Sequence, residues 1–319
     1  MALINVKVTK VTQEADGVRS FLLAKKGLFK LPPYPPGAHI DVHCGEGVIR
    51  QYSLCGLPDD RRHFQIAVRQ VDRSRGGSDL MHMAVKEGDW LEIGSPRSNF
   101  PLDEGSPYSI LIAGGIGITP IIAMADRLHV LGRSFVLHYF TRAADHTAFR
   151  DRLARGEYAD KVVFHEGLDI ALTGSALRVA LANTTEGSQV YICGPGPFMD
   201  TAQALALENL PTEAVNLERF SANPELTDTP TRAFQVRLSR TGITLDVGTE
   251  ETILDVLELN GVLAPFCCEQ GVCGTCVTAI VEGEADHRDS FLSPKQRNSG
   301  KLMCICVSRA KGSQVVLDL

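Results

Sequence analysis

The chain has 319 residues, more than one hydrophobic core usually serves, so its length calls for two or three domains. With 44% hydrophobic and 22% charged residues and a formal net charge of −6, the composition reads as soluble and globular and offers no basic face for nucleic acid. No apolar run reaches the ~18–20 residues that cross a bilayer, and the opening MALINVKVTK alternates like a strand rather than a signal peptide, so the expectation is no membrane partner and a cytoplasmic location.

Residues 1 to about 100 read as short strands: LINVKVTKVT, GVRSFLLAK, AHIDVHC, GVIRQYSLC, HFQIAVRQ and WLEIG, separated by Gly and Pro clusters. Such a run predicts an antiparallel β-barrel. RQYSL (50–54) ends one of these strands. An aromatic ring at Tyr52 can stack on a planar ligand, a hydroxyl at Ser53 can hydrogen-bond its edge, and Arg50 offers a fixed charge for phosphate. On their own, an Arg and a Tyr on a strand are as readily surface and packing residues. SRGGS (74–78) then leads into a helix expected from Ser78 to about Val85, with Ser78 as its N-cap. A helix N-terminus is an anion site, although a plain turn with a cap satisfies the same residues.

From about 106 to 220 the pattern changes. YSILIAGG, SFVLHYF, KVVFHEG, QVYICG and AVNLERF look like buried parallel strands, alternating with helical stretches such as PIIAMADRLHVLG and PFMDTAQALALENL. This is an α/β nucleotide-binding pattern. AGGIGITP (113–120) makes a tight strand-to-helix turn in which Thr119 can cap the helix and Pro120 suits its first turn. It is not the G-x-G-x-x-G fingerprint. YICGPGPFM (191–199) is a second such loop, where Cys193 can equally be a buried strand residue. HYFTR (138–142) ends the second strand with no acid to grip a ribose, only Arg142.

The polar stretch SANPELTDTPTR (221–232) reads as a linker. Beyond it, AFQVRLSRTGITLDV predicts a hairpin and ETILDVLELNG a short helix stopped at Gly261, which together suit a small β-grasp module. Six of the nine cysteines follow: Cys267, Cys268, Cys273, Cys276, Cys304 and Cys306. Cys268, Cys273 and Cys276 form C-x4-C-x2-C, the spacing of a plant-type [2Fe–2S] centre, and Gly271 and Gly274 let the loop wrap so that backbone N–H groups face the sulfurs. A structural zinc site would favour paired C-x2-C elements, of which there is one. Spacing alone leaves the fourth ligand open between Cys304 and Cys306.

GEADHRDSFLSPKQRNSGKLMCICVSRAKG closely resembles the C-terminus of the phthalate dioxygenase reductase family. R-x-Y-S, G-G-x-G-x-T-P and C-G-P-x-x-x-M resemble motifs of the wider ferredoxin–NADP⁺ reductase superfamily. The resemblance runs through the whole chain in the order flavin barrel, nucleotide domain, ferredoxin. It implies an FMN-binding β-barrel (1–103), an α/β parallel-sheet NAD-binding domain (104–222), a linker (223–232) and a C-terminal β-grasp [2Fe–2S] ferredoxin domain (233–319). It places FMN on Arg50, Tyr52, Ser53, Leu54, Ala67, Val68, Arg75, Gly76, Gly77, Ser78 and Phe220. NAD falls to Gly114, Gly115, Gly117, Ile118, Thr119, Pro120, Arg142, Cys193, Gly194 and Pro195, and the cluster to Cys268, Cys273, Cys276 and Cys306. Cys267 and Cys304 are left without a role. Ser53, Thr119 and Cys193 are the residues expected at the site of reaction.

The implied activity is oxidation of NADH through FMN and the [2Fe–2S] cluster, as a monomer that feeds a Rieske-type terminal oxygenase acting on an aromatic acid or related compound. Hydride brings two electrons and the cluster accepts one, so a flavin must stand between them. The chain has neither a Rieske Cys/His pattern nor a facial triad, so oxygenation belongs elsewhere. Two other readings fit parts of the chain: a redox-sensing carrier without significant NADH turnover, and a flavin oxidase or nitroreductase acting directly on a small substrate.

Overall fold

The computed structural model describes residues 3–319 except 28, 46, 72–75, 223–225 and 227–229. It divides into two compact units, Met1–Glu218 and Arg219–Leu319.

Period-two alternation builds the first sheet. In β1 (Ile4–Ala15), Val6 and Val8 are buried while Lys7 and Lys10 face out. β2 (Val18–Ala24), β3 (Ala38–Gly45), β4 (Val48–Ser53), β5 (His63–Arg69), β6 (Trp90–Ile93) and the two-residue β7 (Arg97–Ser98) complete it. The order is β4-β3-β6-β1-β2-β5, with β7 on β3, and every pairing is antiparallel. A Leu54–Ile66 bridge and the Cys55 N–H bond to the Gln65 carbonyl (2.9 Å) join the end of β4 to β5 and close the barrel. Helix α1 (Gly77–Met83) buries Met81 in the barrel core. It starts earlier than the sequence suggests: Gly76, not Ser78, is the N-cap, and Ser78 is already its second helical residue. A glycine with φ +93° turns the chain here in a way a serine would resist.

The second sheet is wholly parallel, in the order β10-β9-β8-β11-β12. Its strands are β8 (Ser109–Gly114), β9 (Phe135–Thr141), β10 (Val162–Glu166), β11 (Gln189–Cys193) and β12 (Val215–Glu218). β8 is buried at every residue, as expected of a strand covered on both faces. Leu111 and Ala113 face α2 (Ile118–Val130) and α3 (Arg150–Arg155), while Ile110 and Ile112 face α4 (Ile170–Ala180) and α5 (Gly196–Leu207). The strand order reverses beside β8, so a crevice forms at the carboxyl ends of β8 and β11.

Both sheets belong to the first unit and share a core. Val18, Cys55, Ala67 and Phe100 of the barrel segment pack with Ile118, Ile121 and Leu128 of α2. A polar tie runs through the same seam. Arg152 donates to the Cys55 carbonyl and the Asp126 carboxylate, which also accepts from the Tyr158 hydroxyl.

The second unit is a small mixed sheet with a helix packed on it, the β-grasp arrangement. β13 (Phe234–Leu238) and β14 (Thr244–Val247) form the hairpin, and β19 (Gln314–Leu317) runs parallel to β13. β15 (Val277–Glu282) and β17 (Leu302–Cys304) extend the sheet, and β16 (Ala285–Asp286) pairs with β18 (Arg309–Ala310). Helix α6 (Ile253–Leu259) opens on a Thr252/Asp255 capping box and buries Ile253, Leu254, Val256 and Leu257. Asn260 caps it and Gly261 follows with φ +70°. No helix among the described residues is long and apolar enough to cross a membrane.

The seam between barrel and α/β sheet makes a prediction. Asp126→Ala leaves the Arg152 guanidinium and the Tyr158 hydroxyl without their shared acceptor, which should cost about 3 kcal/mol. Urea unfolding checks this; a loss under about 0.5 kcal/mol would show the tie to be ornamental.

Candidate functional site

The nucleotide loops meet at the crevice. β8 runs into a single 3₁₀ turn at Gly115–Gly117, and α2 begins at Ile118. Thr119 is buried, and its hydroxyl donates to the Ile116 carbonyl at 3.0 Å. It therefore stitches the loop to itself instead of capping the helix, whose N-cap is Gly117 without any side-chain bond. Cys193 is register-paired with Ala113. A Cβ on Gly117 would fall 2.2 Å from the Cys193 carbonyl oxygen, so only glycine lets the two loops lie this close. Gly114 thus lies against Gly194 and Pro195 of the other loop, while Gly115, Ile118 and Pro120 continue the first loop into α2. Arg142 stands exposed just past the end of β9, on the same edge of the sheet.

The barrel brings its own group. The Arg50 side chain lies across Gly77, where a Cβ would fall 2.3 Å from its Cγ, so RQYSL and the GGS turn are in contact. Arg75 lies outside the described residues. Tyr52 packs on the barrel core and shares a hydrogen bond with the Cys44 thiol. Leu54, Ala67 and Val68 are buried; Leu54 and Val68 share the barrel core with Tyr52, and Ala67 packs in the core shared with the parallel sheet. Phe220, two residues past the first unit, is exposed at the start of the second.

Ser53 is where barrel and α/β sheet come together. Its buried hydroxyl bonds the carboxyl of Glu218, the last residue of β12 and the register partner of Cys193. Burial pushes the Glu218 carboxyl up to about 8, and its Oε2 has no hydrogen-bond partner. Burial and the neighbouring Glu218 also push the Cys193 thiol up. His39, paired with Ser53 across β3 and β4, is held down to about 4 by burial and then by Arg97. Its Nε2 is likewise buried and unpartnered. Two orphaned polar atoms flanking one hydroxyl fit a ligand with a hydrogen-bonding edge, such as a flavin. Sequence reading missed Glu218. An acid ending an apolar strand beside a candidate cysteine was the available signal, but nothing in NLERF announces that the acid is buried.

In the second unit the thiols fall into two groups, Cys268 with Cys273 and Cys276 with Cys304 and Cys306. Cys268 and Cys273 are hydrogen-bonded to each other, and Cys276 Sγ lies 3.2 Å from Cys306 Sγ. Backbone N–H groups of Gln270 and Thr275 point at the sulfurs of Cys268 (3.4 Å) and Cys273 (3.5 Å). Gly271 and Gly274 adopt φ of +65° and +74°, and a Cβ on Gly274 would sit 2.1 Å from the Phe291 ring. Glu269 takes a left-handed φ of 54° without being glycine, a strained turn of the kind found at ligand sites. Among the described residues no three His, Cys, Asp or Glu side chains converge on one metal position. A structural zinc ion needs four donors around one point, whereas a two-iron cluster takes two sulfurs at each iron. Two sulfurs from each group, Cys268 with Cys273 and Cys276 with Cys306, fit the latter. Cys306 is within electrostatic reach of Cys268 and so links the pairs, while Cys304 sits in β17 facing the core.

Two outcomes follow. Gly274→Ala should expel the Phe291 ring and leave the purified protein with well under half the wild-type iron, read by metal analysis. Glu218 keeps its proton in the fold between about pH 5 and pH 8, where the unfolded chain has lost it, so it lowers stability as pH rises through that window. Glu218→Gln should therefore gain on wild type from pH 5 to 8 in urea unfolding; parallel curves would refute the buried acid.

Residues 236–311 match the family model described as a 2Fe-2S iron-sulfur cluster binding domain. The chain is 42% identical to vanillate O-demethylase oxidoreductase of Pseudomonas sp. (strain HR199 / DSM 7063), over 99% of this chain and 100% of that one. It is 41% identical to oxidoreductase NdmD of Pseudomonas putida over 98% of its length but spans only 53% of that longer protein. The solved structure of phthalate dioxygenase reductase, described as modular for electron transfer from pyridine nucleotides to [2Fe-2S], superposes with a TM-score of 0.76 at 37% identity, covering 100% of this chain and 98% of that one. With a barrel, a parallel α/β sheet and a ferredoxin in that order, and with likeness along its whole length, the chain belongs to the phthalate dioxygenase reductase family of oxidoreductases.

Proposed function

We propose that this chain oxidises NADH through FMN and releases the electrons singly, by way of a [2Fe–2S] cluster on Cys268, Cys273, Cys276 and Cys306, to a Rieske-type oxygenase that acts on an aromatic acid or related compound. The work divides among an FMN domain (1–103), an NAD domain (104–222) and a ferredoxin domain (233–319) joined by residues 223–232. When bound, flavin and cluster supply the conversion of a two-electron donor into one-electron transfers.

The chain's own residues bind and orient. Arg50 and the backbone at Gly76 and Gly77 take the FMN phosphate, with Arg75 and Ser78 beside them. Tyr52, Leu54, Ala67 and Val68 form the wall for the ring. Glu218, protonated at neutral pH, fixes the direction of the Ser53 hydroxyl. The Gly114–Pro120 and Cys193–Pro195 loops hold the dinucleotide, with Thr119 bracing the first and Arg142 at its outer end. The Cys193 thiol stays neutral and supplies a small apolar contact, and Phe220 covers the flavin face. The observation that carries this reading is the two-and-two grouping of these four sulfurs in a chain that resembles this reductase family from end to end.

Cys306→Ser is expected to cut NADH-driven cytochrome c reduction at least 100-fold while NADH still bleaches the flavin at the wild-type rate, roughly the weight of removing the only exit for single electrons. Unchanged cytochrome c reduction, or zinc in place of iron and inorganic sulfide, would sink the reading.

A further inference from the structure

Cys304 has no part in the roles above, yet it is fully buried and central to the thiol group. β17 sets it opposite Val277, the residue after Cys276. The Ile305 N–H donates to the Cys276 carbonyl at 3.4 Å, so residues 304 and 306 flank Cys276 on either side. Cys276 Sγ thus has two thiol neighbours, Cys306 at 3.2 Å and Cys304 within hydrogen-bond reach.

These neighbours are not equivalent. Cys306 receives the Gly271 N–H and faces Cys268, so it stands between the pairs. Cys304 interacts with Cys276, Cys306 and Asp289 and packs in the core with Met303 and Ile305. It stands at the Cys276 end of the site, opposite Val277 and beside Asp289.

We propose that Cys304 is not a cluster ligand but a positioning residue whose S–H donates to the Cys276 sulfur and raises the reduction potential of the cluster. This rests on the ligand set proposed above. A donor to a ligand sulfur stabilises the more negative, reduced cluster, and its removal favours the oxidised form. An S–H is a weak donor, but at a buried position no water competes for the acceptor.

The test uses the full chain with its cluster, in Cys304→Ala, Cys304→Ser and Cys306→Ser variants. Iron and sulfide are assayed, and the cluster is titrated with redox dyes while its electron paramagnetic resonance is recorded. Both Cys304 variants should hold iron and sulfide at wild-type stoichiometry. At fixed potential, Cys304→Ala should lower the ratio of reduced to oxidised cluster roughly three- to tenfold, the weight of one hydrogen bond, and shift the g values. Cys304→Ser keeps a donor and should match or exceed the wild-type ratio, a readout that survives if the alanine variant folds poorly. A wild-type titration in Cys304→Ala, or a lowered ratio in Cys304→Ser, overturns the proposal. So does loss of iron from Cys304→Ala while Cys306→Ser retains it, because Cys304 would then be the ligand. Wild-type protein free of iron and sulfide would instead remove the ligand set itself, and this proposal with it.

Discussion

The buried carboxylate of Asp289 is the interaction on which the sulfur geometry rests. It is wholly inaccessible to solvent, and it accepts from the backbone N–H groups of Phe291 (3.1 Å) and Leu292 (2.7 Å) and from the Ser308 hydroxyl (3.3 Å). Arg297 stands 3.6 Å away and also donates to the Asp289 carbonyl. A charge buried this deeply persists only when donors surround it. These donors come from the turn that packs on the cysteine loop, from Arg297 and from the segment that follows Cys306. The 289–292 turn carries the Phe291 ring that fills the space over Gly274, and Ser308 follows Cys306 by two residues. The Ser290 N–H adds a bond to the Gly271 carbonyl at 2.8 Å. One carboxylate therefore sets the distance between the segment bearing Cys268, Cys273 and Cys276 and the segment bearing Cys304 and Cys306.

The first unit solves a different problem, that of holding two sheets rigidly against each other. The Ser53 hydroxyl, from the barrel, bonds Glu218, from the parallel sheet. Such a contact keeps its direction only if the sheets do not slide. The shared apolar core and the Arg152 tie from α3 to the Cys55 carbonyl prevent sliding. Cys55 is only two residues from Ser53, so the anchor and the site lie on the same stretch of chain. Transfer between stacked rings tolerates little misplacement, which makes this coupling a requirement of the chemistry as much as of stability.

Much of this was legible in the amino-acid order because hydrophobic period and turn residues act locally. Alternation in VKVTKVT and continuous burial in YSILIAG translate directly into a half-exposed and a covered strand. Short-range competition was harder to read. Ser78 and Thr119 look like N-caps, yet glycines at 76 and 117 take those positions, since chain reversal at a positive φ or close against Cys193 outweighs one side-chain bond. Two-residue strands such as Arg97–Ser98 carry no periodicity at all. Glu218 and the position of Cys304 depend on burial by residues far away in sequence, which spacing does not encode. C-x4-C-x2-C gave three sulfurs, and the division into two groups emerged only from the folded loop.

Cysteine behaves in opposite ways in the two units, and the difference traces to donors more than to burial. Cys193 is buried beside a protonated acid and finds nothing to stabilise a thiolate, so its thiol is pushed up. His39 is likewise held uncharged, down to about 4, and Glu218 keeps its proton up to about 8. Glu218, His39 and Cys193 are thus all neutral at pH 7, while fixed charge is carried by Arg50, by the Arg97–Asp41 pair beside His39 and by Arg142. In the second unit Cys276 and Cys273 are buried too, yet S–H neighbours pull them down, Cys276 to about 3 by Cys304 and Cys306 and Cys273 to about 6 by Cys268. A neutral pocket suits a ligand that must gain a hydride without electrostatic bias from its walls. One sulfur of each ligand pair, Cys273 and Cys276, is thus inclined to ionise, while its partner, Cys268 or Cys306, is pushed up as the donor. The fold produces both from the same residue type by choosing what stands next to it.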